Sequence, residues 1–358
     1  MAREREHLRH LAAYVPGFQP GAGAIKLNTN ENPFPPSPNV MAALAQVSPQ
    51  TLQRYPDPTA QGLRRKAARH HGVSPGQIVA TNGGDELLRL ALTTFVDPGR
   101  AVGLVTPAYG VYSVVSRIHR AKLCKVPLGE GWLLPEETAL RWNEAGARLG
   151  ILTNPHAPSG ALFPPDAIER LAATFDGVLL IDEAYVDFVD PALKSDTVSL
   201  VGRYPNVLLL RTFSKGYSLA GLRIGYGIGS MDIVAPMLGK TKDSYSVDAL
   251  AQLAAEAALD DVAYAAQTWD IVRYERIRLS DELRQLGFDV SPSQANFVLA
   301  SIPDGGRWQG AGALHAALQA QDIHVRWFDE DRLRNSLRIS VGMGEENSAV
   351  LKALADLL

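Results

Sequence analysis

Seven short apolar runs constrain the fold more than any other feature of the chain: "QIVAT", "AVGLVTP", "AKLCKVP", "RLGILTN", "GVLLIDE", "NVLLLRT" and "LRIGYGI". They are apolar at successive positions instead of alternating, the pattern of strands covered on both faces. Helix-length segments separate several of them. Asp85 to Phe95 is one, and Asp166 to Phe175 is another, opening after Pro164 and Pro165 where a helix start is expected. Strand and helix in alternation predict a mainly parallel sheet with helices on both sides. Past Ser246 the texture changes. An Ala-rich helical stretch from Val247 to Leu286, whole or broken, leads to "GFDVSPSQANFVLAS", a helix near Gly312 to Gln321, short strands "IHVRWF" and "SLRISVG", and a last helix. We therefore expect an α/β chain in which residues 1–50 form an N-terminal arm and part of a small domain, 51–245 a large sheet domain, and 246–358 a smaller α+β domain. The run "NENPFPPSPN" is expected to be an extended arm or loop, since proline suits neither a helix interior nor a central strand.

Composition narrows the function classes. With 358 residues, 46% of them hydrophobic, the chain can bury a sizeable core without staples. Lys and Arg number 35 against 38 Asp and Glu, and a net charge of −3 gives no field selective for nucleic acid or an anionic membrane. A small-molecule partner is expected. Cys124 is the sole cysteine, which excludes an internal disulfide and a multi-cysteine metal site, and its side chain is expected to fill core. No run reaches the ~18 apolar residues of a membrane span, and the charged opening "MAREREHLRHLAAYVPG" lacks a signal-like apolar stretch, so a soluble cytoplasmic protein is the expectation. The basic segment "LRRKAARHHG" reads as a solvated helix face carrying Arg64, Arg65, Lys66 and Arg69.

In an open parallel sheet, ligands sit outside the carboxyl ends of the strands. "TNGGDELLRLA" follows the run "QIVA", so a helix begins there and turns the backbone N–H groups of Gly84, Asp85 and Glu86 outward, an arrangement that holds phosphate or is simply capped by Asp85. "LLIDEAY" ends a buried strand on Asp182 and Glu183. No His/Cys/Asp/Glu set has metal-ligand spacing, and an acceptor for a buried cationic ring nitrogen suits Asp182 better. In "RTFSKGYSLAGLRIGYGIG", Lys215 follows the run "NVLLLRT", and this lysine is placed to form a Schiff base with an aldehyde cofactor whose phosphate Ser214 and Arg223 can hold. Taken singly, Lys215 reads as a surface lysine. The phosphate-type helix start, the strand-end acid and the Ser-Lys with a following Arg, in that order, meet the needs of pyridoxal 5'-phosphate: a lysine, an acid for the ring nitrogen, and cations with N–H groups for the phosphate. "GYGIG" lacks the third glycine and the strand-turn-helix setting of a dinucleotide loop. None of the eight histidines stands beside Ser and Asp as a hydrolase triad requires, and His156 is expected to be solvated in its loop.

With these residues in view the chain resembles the fold-type I, class I/II pyridoxal-phosphate aminotransferases, and within them most closely the histidinol-phosphate aminotransferase family. The resemblance runs through "YVPG", "KLNTNENPFPPSP", "RYPDP", "TNGGDELL", "TPAYGVYS", "LLIDEAYVDF", "RTFSKGYSLAGLRIGY", "QANFV" and "VRWF…LRISVGMGEEN". It implies the aspartate aminotransferase-like fold and transfer of an amino group from histidinol phosphate, or a related aromatic or imidazole amine, to a 2-oxo acid such as 2-oxoglutarate. It implies Lys215 as the lysine bonded to the cofactor, Asp182 as partner of its ring nitrogen, Tyr185 as donor to its 3'-oxygen and Tyr109 stacked on the ring. Gly84, Asp85, Ser214 and Arg223 hold the phosphate, with Glu86, Asn154 and Thr212 in the same cofactor site. Tyr55 reaches that phosphate from a neighbouring subunit, implying a homodimer. Arg338 takes the substrate's carboxylate or equivalent polar end, and Arg326, Tyr14 and Asn30 complete the substrate side. One departure stands out. The family usually reads Asn-Pro-Asn-Asn-Pro-Thr-Gly where this chain has "NPHAPSG", so Ala157 replaces the asparagine that bonds the cofactor's 3'-oxygen.

Overall fold

Each of the seven runs becomes a strand in the computed structural model, which describes residues 3–195, 197–302, 308 and 310–358. They are β1 (Ile78–Thr81), β2 (Ala101–Thr106), β3 (Lys122–Pro127), β4 (Ala147–Thr153), β5 (Val178–Asp182), β6 (Val207–Thr212) and β7 (Gly225–Gly229). They form one sheet in the order β1-β7-β6-β5-β4-β2-β3. Successive residues go to opposite faces, and both faces are covered: Val207 and Leu209 join one apolar layer while Leu208 and Leu210 join the other. Pairing is parallel from β3 through β6, and β7 alone runs antiparallel to both neighbours. Its direction follows from the connection. Residues 213–224 return the chain from β6 with no crossover helix, so the next strand must run backwards.

The helices needed below are α1 (Pro38–Ala45), α2 (Gln61–His71), α3 (Gly83–Phe95), α4 (Gly110–Ile118), α5 (Pro165–Thr174), α6 (Ala249–Asp260), α7 (Val262–Gln285), α8 (Ala311–Gln319) and α9 (Gly344–Leu357). The Ala-rich stretch breaks at Asp261, between α6 and α7. A second sheet is built from β8 (Asp289–Val290), β9 (Phe297–Ser301), β10 (Arg326–Trp327) and β11 (Ser336–Ser340), in the order β10-β11-β9-β8. Its core packs Val298, Ala300, Leu337 and Ile339 against Leu279 and Leu283 of α7, Leu314 and Leu318 of α8, and Val350 and Leu354 of α9. "IHVRWF" divides between two sheets. Ile323 and His324 pair in parallel with Ile25 and Lys26, whereas Arg326 and Trp327 pair with β11. The segment after residue 25 is thus tied to the C-terminal part of the chain, and Ser340 N donates to Leu27 O at 3.0 Å.

Two local expectations need correction. Pro38 and Asn39, at the end of the proline-rich run, open α1: the missing proline N–H costs nothing at the first helical position, and Ser37 Oγ caps by accepting from Asn39 N at 3.1 Å. Cys124 lies half-buried on the edge strand β3, its Sγ 3.5 Å from Arg141 O, so it packs beside the core instead of filling it. The basic face of α2 is also less free than its sequence suggests. Arg64 donates to Ile78 O and Pro75 O, both at 2.8 Å, and Lys66 pairs with Asp260 of α6 at 2.5 Å. Among the described residues no helix is long and apolar enough to cross a membrane.

Candidate active site

The carboxyl ends of β2, β4, β5 and β6 open on one edge of the large sheet, where a cavity of about 590 Å³ is shared with the N-terminal segment and the second sheet. Lys215 lies in the return segment after β6. Its Nζ donates to Thr29 O at 2.7 Å, and burial, reinforced by the nearby Arg338 guanidinium, pulls its pKa down to about 8. Asp182 ends β5 with 6% of its surface exposed. Its Oδ2 accepts from Tyr112 OH at 2.6 Å and its Oδ1 from Ala184 N at 3.0 Å. Burial pushes its pKa up to about 6, against the pull of the Tyr112 hydrogen bond.

At one end of the cavity α3 begins at Gly83, two residues earlier than the sequence suggests. The intrahelical ladder therefore starts at the Glu86 N–H, and the free donors are those of Gly83, Gly84 and Asp85. The Glu86 carboxylate turns back to Asn82 N, and Glu86 does not line the cavity. Gly83 has φ +74°, and a Cβ there would sit 2.9 Å from Arg223 Nη2. Arg223 reaches the same place from a left-handed residue (φ 51°), 3.4 Å from Ser214 Oγ and 3.9 Å from Asp85 Oδ2. Thr212 Oγ1 donates to Ser214 Oγ at 3.0 Å and accepts from Ser214 N at 3.1 Å. The N–H groups of Gly84 and Asp85, a hydroxyl and a guanidinium thus converge on a half-exposed pocket, a set that suits a phosphate.

Tyr109 caps α4 and meets Tyr14 edge-on at 5.2 Å, so the N-terminal segment roofs the cavity. Tyr185 follows β5 and packs edge-on against Phe297 at 5.0 Å, its hydroxyl 3.1 Å from Asn30 Nδ2. Arg326 and Arg338 are direct partners across β10 and β11, hence neighbours on one face of the sheet. Both guanidinium groups lie over the Phe328 ring, at 5.2 and 5.4 Å, and among the described residues neither meets a carboxylate. Arg326 Nη2 donates to Val15 O at 3.2 Å and Arg338 Nη2 to Asn28 O at 2.9 Å, while the buried Arg338 Nε has no partner. Two like charges side by side without a counter-ion are an anion site in waiting.

Some expected residues lie elsewhere. Asn154 does not line the cavity: its Oδ1 accepts from Phe163 N at 2.9 Å, stitching its own loop. His156 is fully buried, contrary to the expectation of solvation. It is held at 2.7 Å by Ser159 Oγ and at 2.9 Å by Pro107 O, and its burial lowers the pKa to about 4, which keeps it neutral. Ala157 does line the cavity, packed with Ala295, Phe297 and Tyr185. Tyr55 lies outside the cavity formed by this chain, 80% exposed and stacked on Tyr245 at 4.4 Å. The sequence reading missed Tyr112, which joins Asp182 to Thr153 Oγ1 (2.7 Å); its signal is the Tyr-x-x-Tyr spacing, one helical turn from Tyr109. It missed Gly83 as well, though the tandem Gly-Gly marks it. Arg117, one face along α4 from Gly110 and Val114, lines the cavity with no distinguishing sequence signal. Among the described residues no three His, Cys, Asp or Glu side chains are grouped to hold a metal.

Residues 22–354 match the family of class I and II aminotransferases. Histidinol-phosphate aminotransferase of Syntrophotalea carbinolica is 41% identical over 355 residues, 99% of each chain. Histidinol-phosphate aminotransferase 1 of Trichormus variabilis is 39% identical over 356 residues, covering 99% of this chain and 98% of the relative. The crystal structure of histidinol-phosphate aminotransferase from Sinorhizobium meliloti in complex with pyridoxal 5'-phosphate superposes with a TM-score of 0.89 at 26% identity, over 100% of this chain and 99% of that one. The fold is the aspartate aminotransferase-like fold of pyridoxal-phosphate enzymes. Sheet, cavity and relatives agree, and the chain belongs to the class I and II aminotransferases, within them to the histidinol-phosphate aminotransferase family, enzymes that use pyridoxal 5'-phosphate.

Proposed function

We propose that this aminotransferase takes the amino group of histidinol phosphate, or of a closely related imidazole or aromatic amine, and delivers it to a 2-oxo acid such as 2-oxoglutarate. The observation that carries the substrate reading is the pair Arg326 and Arg338, directly opposed across two strands over one phenylalanine ring and lacking a carboxylate. Placing like charges opposite each other costs stability unless a ligand anion joins them. A phosphate monoester offers two negative charges and several acceptor oxygens to such a fork.

The site also fits the cofactor. The unpartnered N–H groups of α3, with Ser214, Thr212 and Arg223, suit its phosphate, Asp182 its ring nitrogen, Tyr109 one ring face, and Tyr185 its phenolic oxygen. When bound, pyridoxal 5'-phosphate supplies the aldehyde that takes up the amino group and the ring that spreads charge as the α-proton leaves. Lys215 would hold the cofactor, and its Nζ would take the proton from the substrate's α-carbon. A pKa near 8 suits that task better than the usual 10.5, because about a quarter of the amine is then neutral at pH 7.5. Asp182, ionised above about pH 6, keeps a proton on the ring nitrogen. Tyr14 and Tyr109 together cover one side of the cavity.

The reading extends to assembly. The exposed pair Tyr55 and Tyr245 supports a homodimer in which Tyr55 completes the phosphate site of the neighbouring subunit. We read residues 51–245 as the cofactor-binding unit and the cytoplasm as the compartment. The substrate assignment is tested by comparing Arg326→Ala with the parent on two donors. A KM raised at least about tenfold for histidinol phosphate, with little change for an aromatic amino acid, supports it. Equal effects on both donors remove the phosphate from the assignment.

A further inference from the structure

Tyr185 has one hydrogen-bond partner among the described residues, and the chemistry of that partner decides where its own hydrogen points. Asn30 Nδ2 approaches the hydroxyl at 3.1 Å. An amide nitrogen donates and cannot accept, so the tyrosine oxygen is the acceptor here and its hydrogen is left for the cavity that Tyr185 lines. The orientation of the Asn30 amide is fixed in turn by Ser340. Its Oγ accepts the Asn30 backbone N–H at 2.9 Å, which leaves its single hydrogen to reach Asn30 Oδ1 at 3.0 Å. A hydroxyl hydrogen needs an acceptor opposite, so the amide oxygen faces Ser340 and the amide nitrogen must face Tyr185. The backbone is held as well. Asn30 adopts φ 56° and its carbonyl accepts from Asn296 Nδ2 at 2.9 Å. Asn30 and Ser340 are each 2% exposed, so water does not compete for these bonds.

We propose that Ser340 and Asn30 are positioning residues that turn the Tyr185 hydroxyl hydrogen into the cavity, toward the phenolic oxygen of the cofactor. The proposal rests on the reading above that Tyr185 donates to that oxygen. It gives Asn30 a task other than substrate binding, since its Oδ1 and one Nδ2 hydrogen are already engaged. It also places the relay on β11, where Ser340 stands two residues beyond Arg338 and on the same face of the strand. The groups that face Tyr185 from elsewhere include Arg338 on β11, Asp182 at the end of β5, Tyr14 of the N-terminal segment, and Tyr109 and Tyr112 at the start of α4, and none is altered below.

The test is the pH midpoint of the visible absorbance of the cofactor-loaded protein, followed in a mutant cycle with Tyr185→Phe. Losing the Tyr185 donor leaves the phenolic oxygen less stabilised as an anion, so Tyr185→Phe raises the midpoint, by about one pH unit for one hydrogen bond. Asn30→Asp keeps the shape, tolerates the left-handed backbone and still accepts from Ser340. A carboxylate can only accept, however, so it takes the tyrosine hydrogen away from the cavity and should raise the midpoint about as much as Tyr185→Phe. Ser340→Ala frees the amide to flip and should shift the midpoint in the same direction by less. The Ser340→Ala shift should largely vanish when the same change is made in Tyr185→Phe, and the Asn30→Asp shift should shrink to the part caused by its added charge. Asn30→Asp retains the bonds to Ser340 and carries the test if Ser340→Ala does not fold. Shifts of equal size with and without the tyrosine hydroxyl, or none in either variant while Tyr185→Phe moves, overturn the relay and leave the reading of Tyr185 intact. An unmoved midpoint in Tyr185→Phe removes that reading, and the relay with it.

Discussion

Asp182 is where function and stability pull against each other. Its folded pKa, near 6, lies above the ordinary carboxylate value of 3.8, so the folded protein binds a proton more tightly than the unfolded chain. The contribution of such a group is fully present below the unfolded pKa and is lost as pH rises through the folded one. At pH 7.5 the cofactor-free protein therefore carries a buried charge costing roughly 3 kcal/mol. Asp182→Asn should raise the melting temperature of the cofactor-free protein at pH 7.5, with the gain shrinking toward pH 4, while amino transfer collapses. The neutral amide can still be accommodated, because Tyr112 OH is free to turn its hydrogen to Thr153. A melting temperature that falls at pH 7.5 contradicts the burial argument. Arg338 offers a second check at this scale. Arg338→Ala removes a charge-assisted contact that the unpartnered Nε is ready to join, and KM for histidinol phosphate should rise at least about tenfold in steady-state assays.

Among the elements, the start of α3 is expected to set cofactor affinity. Gly83→Ala forces a side chain into a positive-φ position and against the Arg223 guanidinium, so we expect about 1 to 2 kcal/mol of lost stability and a cofactor Kd weakened about tenfold, read by fluorescence titration. An unchanged Kd means that the cofactor phosphate is held elsewhere. The strands were legible because double burial leaves unbroken apolar runs, as in Val207 to Leu210, and the chemistry was legible where polar residues interrupt them at strand ends, as at Asp182. Directions and loop contacts were not. "LRIGYGI" has the composition of any buried strand, and only the return after β6 without an α-helical crossover makes it antiparallel. His156 sits in a polar-looking loop, yet Pro107 O and Ser159 lie where they satisfy both ring nitrogens, partners 49 and 3 positions away that no local pattern joins. Glu86 illustrates register: with the helix starting two residues before Asp85, its N–H joins the intrahelical ladder and leaves the site. Asn30 and Ser340 are 310 residues apart, so their bond belongs to the tertiary fold alone.

At the scale of the whole molecule, the proposed function requires a shared site and one lysine. If Tyr55 serves the neighbouring subunit, subunits carrying Tyr55→Ala and subunits carrying Lys215→Ala should complement each other. A hybrid dimer concentrates both defects in one site and leaves the other intact, so random remixing should restore up to about a quarter of the parental sites. No recovery on remixing places Tyr55 in its own subunit's site or outside catalysis. The most direct measurement is borohydride reduction of the cofactor-loaded protein, followed by proteolysis and mass mapping. The account predicts the reduced cofactor's mass on the peptide containing Lys215, with no such adduct in Lys215→Ala although that variant still binds the cofactor through its phosphate. A labelled peptide that lacks Lys215, or wild-type turnover in Lys215→Ala, contradicts it.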